Sequence, residues 1–222
     1  MNLQLPAIVR SLVTAATLAT VAVSAVAQGV AGDVKAGQNK AEMCIGCHGI
    51  PGYQNSFPEV HKVPKISGQS DKYIIASLTA YKKGDRRHPT MRGIAGPLTD
   101  QDMADLAAFY SAQVNKTAPE VPRAANVAAA ALIEKGACAS CHGANFSKPI
   151  DPSYPKLAGQ HADYLYVALK AYTVQGNAVI GRNNAIMSGI AKQYSNAEMR
   201  EIAKYLASID SELAVIPQAR FK

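Results

Sequence analysis

Cys44-Ile45-Gly46-Cys47-His48-Gly49 recurs later in the chain as Cys138-Ala139-Ser140-Cys141-His142-Gly143. Two more blocks recur in the same order. Pro64-Lys65-Ile66-Ser67-Gly68-Gln69 returns as Pro155-Lys156-Leu157-Ala158-Gly159-Gln160, and Arg86, Met91 and Gly93-Ile94-Ala95 return as Arg182, Met187 and Gly189-Ile190-Ala191. The offsets drift only between 91 and 96 residues, as expected for loop insertions between two copies of one fold. The sequence therefore predicts two similar domains.

Each copy is predicted to be helical. Helices are expected after Asp33 and over 126–137, which lead into the cysteine motifs, and over 71–82 and 162–174. A last helix in each copy follows a capping-box spacing, Thr99 with Asp102 and Ser195 with Glu198. Behind these caps runs an apolar i, i+3, i+4, i+7 stripe, made of Met103, Leu106, Ala107 and Tyr110 in the first copy and Met199, Ile202, Ala203 and Leu206 in the second. No segment shows a sustained period-two pattern, so the fold class is all-α.

Cys-x-x-Cys-His is the attachment motif of c-type haem. Its two thiols form thioethers with the haem vinyl groups, and the adjacent histidine binds the iron. A zinc site would need more ligands in each half, and a thioredoxin-like pair would need a βαβ setting. The sequence therefore predicts two covalently bound haems c. Their attachment residues are Cys44, Cys47, Cys138 and Cys141, and the iron ligands are His48 and His142.

The sixth iron ligand is predicted to be Met91 in the first copy and Met187 in the second. Both are expected in loops before the last helix, beside glycine and outside any apolar stripe. Met103 and Met199 are also matched between the copies, but their place in the stripe predicts core positions. An iron with a protein ligand on both faces can transfer electrons but cannot bind a small-molecule substrate. The chain is therefore not expected to be an enzyme.

Other residues near the motifs have less specific predictions. His61, His88 and His161 each occur in one copy only, so solvated or capping roles are expected for them rather than iron ligation. The carbonyls of Pro64 and Pro155 are expected to accept the N–H of the ligand histidine and to orient it.

Two matched pairs are candidates for contacts with the haem propionates. Arg86 and Arg182 each stand five residues before the predicted methionine ligand, where a guanidinium would pair with a propionate by charge-assisted hydrogen bonds. The alternative is a solvated loop arginine. Tyr73 and Tyr164 are either core residues or further propionate contacts.

The chain organisation follows from composition. Residues 1–27 are predicted to be a cleaved signal peptide, because Arg10 precedes an apolar run that ends in Ala25-Val26-Ala27. That run is shorter than the roughly 20 residues of a spanning helix. We expect a first domain over 28–115, a proline-containing linker over 116–125 and a second domain with a C-terminal tail over 126–222.

The formal charge is +7. The lysines and arginines are scattered along the chain, so a nucleic-acid partner is not expected. A basic balance of this size suits an acidic protein partner or an anionic membrane surface.

These motifs, together with the Arg-x-x-x-x-Met spacing and the two capped final helices, resemble the dihaem cytochrome c4 family over nearly all of the mature chain. The resemblance implies a periplasmic pair of class I cytochrome c domains related by a pseudo-twofold axis, with propionates near the interface and His/Met ligation of both irons. It also implies electron transfer from a respiratory complex or dehydrogenase to a terminal oxidase. The first copy is longer over 53–63, and the second has five extra residues between Tyr172 and Arg182. These loops would reshape a docking surface.

Three functions stay open at this point. The first is an electron shuttle, either freely diffusing or peripherally associated with the membrane. The second is the haem subunit of a periplasmic dehydrogenase such as a flavocytochrome, and the tail over 211–222 would suit such a permanent partner. The third is a dihaem peroxidase, which would need an open iron.

Overall fold

The computed structural model describes residues 30–114, called the first half below, and 124–217, called the second half. The predicted signal peptide, most of the predicted linker and residues 218–222 lie outside the described residues. Within the described parts, helices make up both halves and the strands are two residues long. The prediction of an all-α fold is confirmed. None of these helices is long and apolar enough to cross a bilayer.

The helices of the first half are α1 (Val34–Lys40), α2 (Glu42–His48), α3 (Asp71–Lys83), α4 (Pro89–Ala95) and α5 (Asp100–Ser111). Those of the second half are α6 (Val127–Lys135), α7 (Cys138–His142), α8 (Ala162–Ala171), α9 (Ala185–Ala191) and α10 (Asn196–Ser208). Strands β1 (Gln54–Asn55) and β2 (His61–Lys62) form an antiparallel hairpin. Strand β3 (Arg86–Arg87) pairs with β4 (Gly181–Arg182) and joins the two halves.

The two final helices begin and pack as their sequences predict. Both capping boxes are formed, at Thr99 on α5 and at Ser195 on α10. All eight stripe residues are buried, with exposed fractions of 4 % or less. Helix α5 packs against α1 and α3, and α10 packs against α8 and α6. The duplicated sequence therefore builds a small apolar core twice.

One predicted helix is too long, and two segments predicted as loops are helical. Helix α8 ends at Ala171 rather than at Val174, because the hydroxyl of Thr173 donates to the carbonyl of Lys170 at 2.8 Å and competes with the next helical turn. The segments that carry Met91 and Met187 are the short helices α4 and α9 rather than loops.

Capping explains why α4 and α9 form. The side chain of His88 accepts from the amide of Met91, and the side chain of Asn184 accepts from the amide of Met187. In α4 the first helical position is Pro89, whose fixed φ suits a helix start. Both methionines therefore sit at the third helical position of a capped turn.

The start of the C-terminal tail folds back on the first half. The amide of Ala214 donates to the carbonyl of Ser67 at 3.1 Å. Glu212, which is 9 % exposed, pairs with Lys156 at 2.6 Å, and Lys156 also donates to the carbonyl of Gly68 at 2.8 Å. The described part of the tail thus has a partner inside its own chain.

A buried carboxylate holds α1 against α5. Asp105, which is 2 % exposed, accepts from the amide of Asp33 at 2.8 Å and from Lys40 at 2.6 Å. The hydrogen bond from Lys40 lowers the pKa of Asp105, and the bond from the Asp33 amide lowers it further. Helix α1 leads directly into the first cysteine motif, so this carboxylate also fixes where that motif begins.

Replacing Asp105 with Asn is expected to destabilise the haem-loaded protein by roughly 2 kcal/mol at pH 7, because a charge-assisted hydrogen bond is lost. A folded-state pKa below the ordinary value gives stability that is present above about pH 3.9 and is lost as the pH falls through the folded-state value. Thermal unfolding from pH 7 down to pH 2 should show the gap between wild type and Asp105→Asn narrowing in acid. A constant gap would contradict a role for the charge.

Candidate functional site

Each cysteine motif lies on a short helix. Helix α2 carries Cys44, Cys47 and His48, and α7 carries the matched residues. None of the four cysteines forms a disulfide. The spacing of three residues places the two thiols of a motif on the same helix face, as attachment to one edge of a ring requires.

The environment of the thiols can be compared with that of a thioredoxin-like redox pair and of a zinc site. Burial raises the pKa of Cys44 and of Cys138, whereas a redox-active Cys-x-x-Cys pair depends on a lowered pKa. In residues 30–114 and 124–217, no group of three or more His, Cys, Asp or Glu side chains is placed to hold a metal ion. The direction of these pKa shifts disfavours a thioredoxin-like pair.

The two motif histidines are oriented in the same way. Nδ1 of His48 lies 2.8 Å from the carbonyl oxygen of Pro64, and Nδ1 of His142 lies 3.1 Å from that of Pro155. A carbonyl only accepts, so the proton is on Nδ1 and Nε2 keeps its lone pair. Burial lowers the pKa of both histidines, which favours the neutral ring. The prediction that proline carbonyls orient these rings is confirmed.

The two pairs of matched methionines differ in environment. Met103 and Met199 are 1 % and 2 % exposed and belong to the core, as predicted. Met91 and Met187 are only half-buried. Their helices pack on the preceding long helices, α4 on α3 and α9 on α8. Ligation by this second pair stays a prediction.

The four residues predicted to contact propionates come together where the halves meet. Arg86 and Arg182 are register partners in the β3–β4 pair. The hydroxyl of Tyr164 accepts from Arg86 at 3.1 Å and from Arg182 at 3.0 Å, and Arg86 also contacts the hydroxyl of Tyr73 at 3.4 Å. We call these four residues the arginine–tyrosine cluster. Its arginines are not the solvated loop residues of the alternative interpretation.

The arginine–tyrosine cluster carries positive charge that its hydrogen bonds do not neutralise. The arginines donate to tyrosine hydroxyls and lie against the rings of Tyr81 and Tyr172. Nε of Arg86 is enclosed and has no hydrogen-bond partner. Burial would raise the pKa of Tyr164, but the charges of Arg182 and Arg86 outweigh it and lower the pKa to about 8. Because buried charge without a counter-ion is costly, the cluster fits the carboxylates of a prosthetic group.

The remaining histidines follow the prediction only in part. His88 caps α4, as expected of a capping residue. His61 is not solvated: it is 5 % exposed, bonds to the carbonyl of Glu59 at 2.8 Å and lies against the ring of Tyr164. His161 occupies the cap position of α8 without a side-chain cap bond. Burial lowers the pKa of His161 to about 4, so it is neutral at pH 7.

The residues that join the two halves were not predicted. The side-chain amide of Gln160 accepts from the backbone N–H of Lys65 and donates to its carbonyl, both at 2.9 Å. Gln69 makes the same two bonds with the backbone of Lys156, at 2.9 and 3.1 Å. Such reciprocity is the pattern of an isologous interface. The signal was present in the sequence, because both glutamines end the repeated Pro-Lys blocks.

Comparisons with known proteins identify the family of both halves. The family model described as cytochrome c matches residues 34–111 and again 127–210. Cytochrome c4 of Stutzerimonas stutzeri is 31 % identical over 194 residues, covering 81 % of this chain and 90 % of the relative. A thiosulfate dehydrogenase electron acceptor of the A1501 strain of that species is 31 % identical over 183 residues, covering 78 % of this chain and 82 % of the relative.

Among solved structures, reduced recombinant cytochrome c4 from Pseudomonas stutzeri superimposes with a TM-score of 0.60 at 28 % identity, covering 81 % of this chain and all of that one. The repeated Cys-x-x-Cys-His motifs and the two family matches assign two covalently bound haems c to the chain. This protein belongs to the dihaem cytochrome c4 family of electron-transfer proteins.

Proposed function

We propose that this chain is a periplasmic electron carrier in which His48 and Met91 bind one haem iron and His142 and Met187 bind the other. The main support is the duplicated histidine geometry. Each motif histidine donates its Nδ1–H to a proline carbonyl and keeps the lone pair of Nε2 for the iron. A haem c bound at each motif supplies one Fe(III)/Fe(II) couple.

Three sets of residues would hold each haem. One pair of cysteines would attach each haem, and the proline carbonyls fix the ring plane and tautomer of each motif histidine. Helices α4 and α9 present the methionines from a capped turn, where the backbone is held by His88 and Asn184. The arginine–tyrosine cluster supplies hydrogen-bond donors and positive charge for the propionates of both halves.

Iron with a protein ligand on both faces has no place for a substrate, so we propose a carrier rather than an enzyme. A dihaem peroxidase needs an open iron, and the matched methionine helices argue against one in either half. The predicted export segment, residues 1–27, supports a periplasmic location. The redox partners we propose are proteins, with a respiratory complex or dehydrogenase as donor and a terminal oxidase as acceptor.

A second candidate is a carrier dedicated to one dehydrogenase. It is supported by the similarity to a thiosulfate dehydrogenase electron acceptor. The net charge of +7 suits an acidic face on either kind of partner. The described tail does not favour permanent assembly, because Ser211, Glu212, Leu213 and Ala214 are already buried in this chain.

Native purification with a pyridine haemochrome assay tests the proposal. The expected result is two covalent haems per chain, one haem in a variant with Cys44→Ala and Cys47→Ala, and elution without a stoichiometric partner. Co-elution with a flavin or metal subunit at constant ratio would overturn the free carrier in favour of a subunit. A single haem in the wild type would overturn the duplicated site.

A further inference from the structure

Residues 53–63 are the part of the first half that has no counterpart of equal length in the second. They form a hairpin, with Asn55 opposite His61 in the β1–β2 pair and the amide of Val63 donating to the carbonyl of Tyr53 at 2.9 Å. We call residues 53–63 the bridging hairpin. It breaks the pseudo-symmetry of the duplicated fold, so any role it has applies to one haem and not to the other.

One side of the bridging hairpin holds the cap of the Met91 helix. Nε2 of His88 lies 3.3 Å from the carbonyl oxygen of Phe57, and the two rings meet edge to face with centroids 5.7 Å apart. Since that carbonyl only accepts, the proton of a neutral His88 is on Nε2, and Nδ1 is the acceptor for the amide of Met91. The hairpin thus sets both the tautomer and the ring orientation that the cap requires.

The other side of the bridging hairpin is fixed to helix α8 of the second half. Glu59 pairs with Lys170 at 2.8 Å. The carboxylate of Asp163 accepts from the backbone N–H of Lys62 at 3.1 Å and from its ammonium at 3.3 Å. The ring of His61 lies against Tyr164 in the arginine–tyrosine cluster. One short hairpin therefore contacts both the Met91 cap and the second half.

The Met187 helix is capped by a simpler arrangement. The side-chain oxygen of Asn184 accepts from the amide of Met187 at 2.9 Å. The corresponding bond from the Met91 amide to His88 is longer, 3.4 Å. A longer bond is weaker, so the first cap depends more on what holds its side chain.

We propose that the bridging hairpin is a positioning element that ties the Met91 helix to α8 through His88, so that docking of the two halves sets the ligand position at the first iron only. The inference rests on the proposed ligation by Met91 and Met187. The two haems are then inequivalent, because only the first has its methionine ligand positioned by contacts with the other half. Changes in the contacts between the bridging hairpin and α8 therefore alter the first couple and leave the second unchanged.

The experiment detaches the hairpin from α8 and reads each iron separately. The variant carries Glu59→Gln and Asp163→Ala, which remove the charge that pairs with Lys170 and the acceptor of both Lys62 bonds. In reduced haem-loaded protein, ring-current-shifted methyl signals of the axial methionines report each ligand by NMR, and a two-step redox titration reports each couple. We expect a shift of the signal that is absent from a Met91→Ala variant, and a shift of one midpoint potential, with the Met187 signal and the other potential unchanged.

Two further variants separate positioning from a loosened interface. Ser70→Ala removes a different bond between the halves, from the Ser70 hydroxyl to the carbonyl of Pro152 at 2.6 Å, and should move neither signal. His88→Asn gives the first half the cap of the second, and in that background detaching the hairpin should no longer shift the Met91 signal.

The outcomes distinguish the inference from the proposed function. Equal shifts of both methionine signals, or a shift that survives in the His88→Asn background, would overturn the positioning role. So would unchanged signals in the detached variant. Absence of two axial methionine signals from the wild type would overturn the proposed ligation itself.

Discussion

Replacing Met187 with Ala in the haem-loaded protein is expected to lower one midpoint potential by on the order of 0.2 V, a fraction of the roughly 0.8 V that axial ligands span. A thioether favours the reduced iron, and its loss leaves water or nothing in that position. The weak sulfur-to-iron charge-transfer band of the oxidised protein should fall to half its intensity. Met91→Ala should do the same at the other iron, and the double variant should lose the band.

The core methionines provide matched controls for this prediction. Met103→Leu and Met199→Leu replace side chains of similar volume that are 1 % and 2 % exposed. Such exchanges usually cost less than about 1.5 kcal/mol, and neither should change the band or a potential. An unchanged ligand field in Met187→Ala, or a lost band in Met199→Leu, would show that the ligands were assigned to the wrong pair.

Local sequence signals predicted the parts of the fold that local interactions determine. A capping box needs a hydroxyl and a carboxyl three residues apart, and Thr99 with Asp102 shows that spacing directly. The buried stripe behind it follows from helical periodicity. The haem-attachment motif is equally local, which is why its cysteines and histidines were found without a structure.

The missed features depend on partners distant in sequence. The sequence predicts a loop at Met91 because the apolar pattern of this short helix is too brief to show a period. Its cap is also a histidine rather than a preferred capping residue. Gln69 and Gln160 bond to backbone across the junction of the halves. No periodicity records that pairing, although their repetition marks it as a common feature of both copies.

The bridging hairpin was visible in the sequence only as extra length. Its charged residues Glu59 and Lys62 pair with Lys170 and Asp163 of the same chain, which the sequence does not indicate. A role of this segment in docking another protein stays a prediction. Length differences between repeats show where symmetry is broken, but the partner of the extra segment is a matter of tertiary packing.

Gly37→Ala is expected to destabilise the first half by about 2–3 kcal/mol, since overpacking of a tight contact outweighs the gain in helix propensity. Helix α1 crosses α5 so closely that a Cβ at Gly37 would collide with the carbonyl oxygen of Asp105 and lie 2.8 Å from the Cβ of Phe109. Backbone atoms cannot rotate away, so the helices must separate. For a domain of this size the shift in Tm is roughly 10–20 °C.

The loss of stability in Gly37→Ala should affect only the first haem. Helix α1 runs into α2, which bears Cys44 and His48, so heating Gly37→Ala should disturb the ligand field of the first iron well before that of the second. Gly46→Ala is the matched control, because a Cβ there meets nothing within 4 Å and the second copy carries Ser140 at that position. Thermal unfolding followed in the haem spectrum, with Met91→Ala and Met187→Ala identifying each iron, measures both effects. Equal Tm values for Gly37→Ala and Gly46→Ala would mean that the helix crossing tolerates a side chain and does not hold the first motif in place.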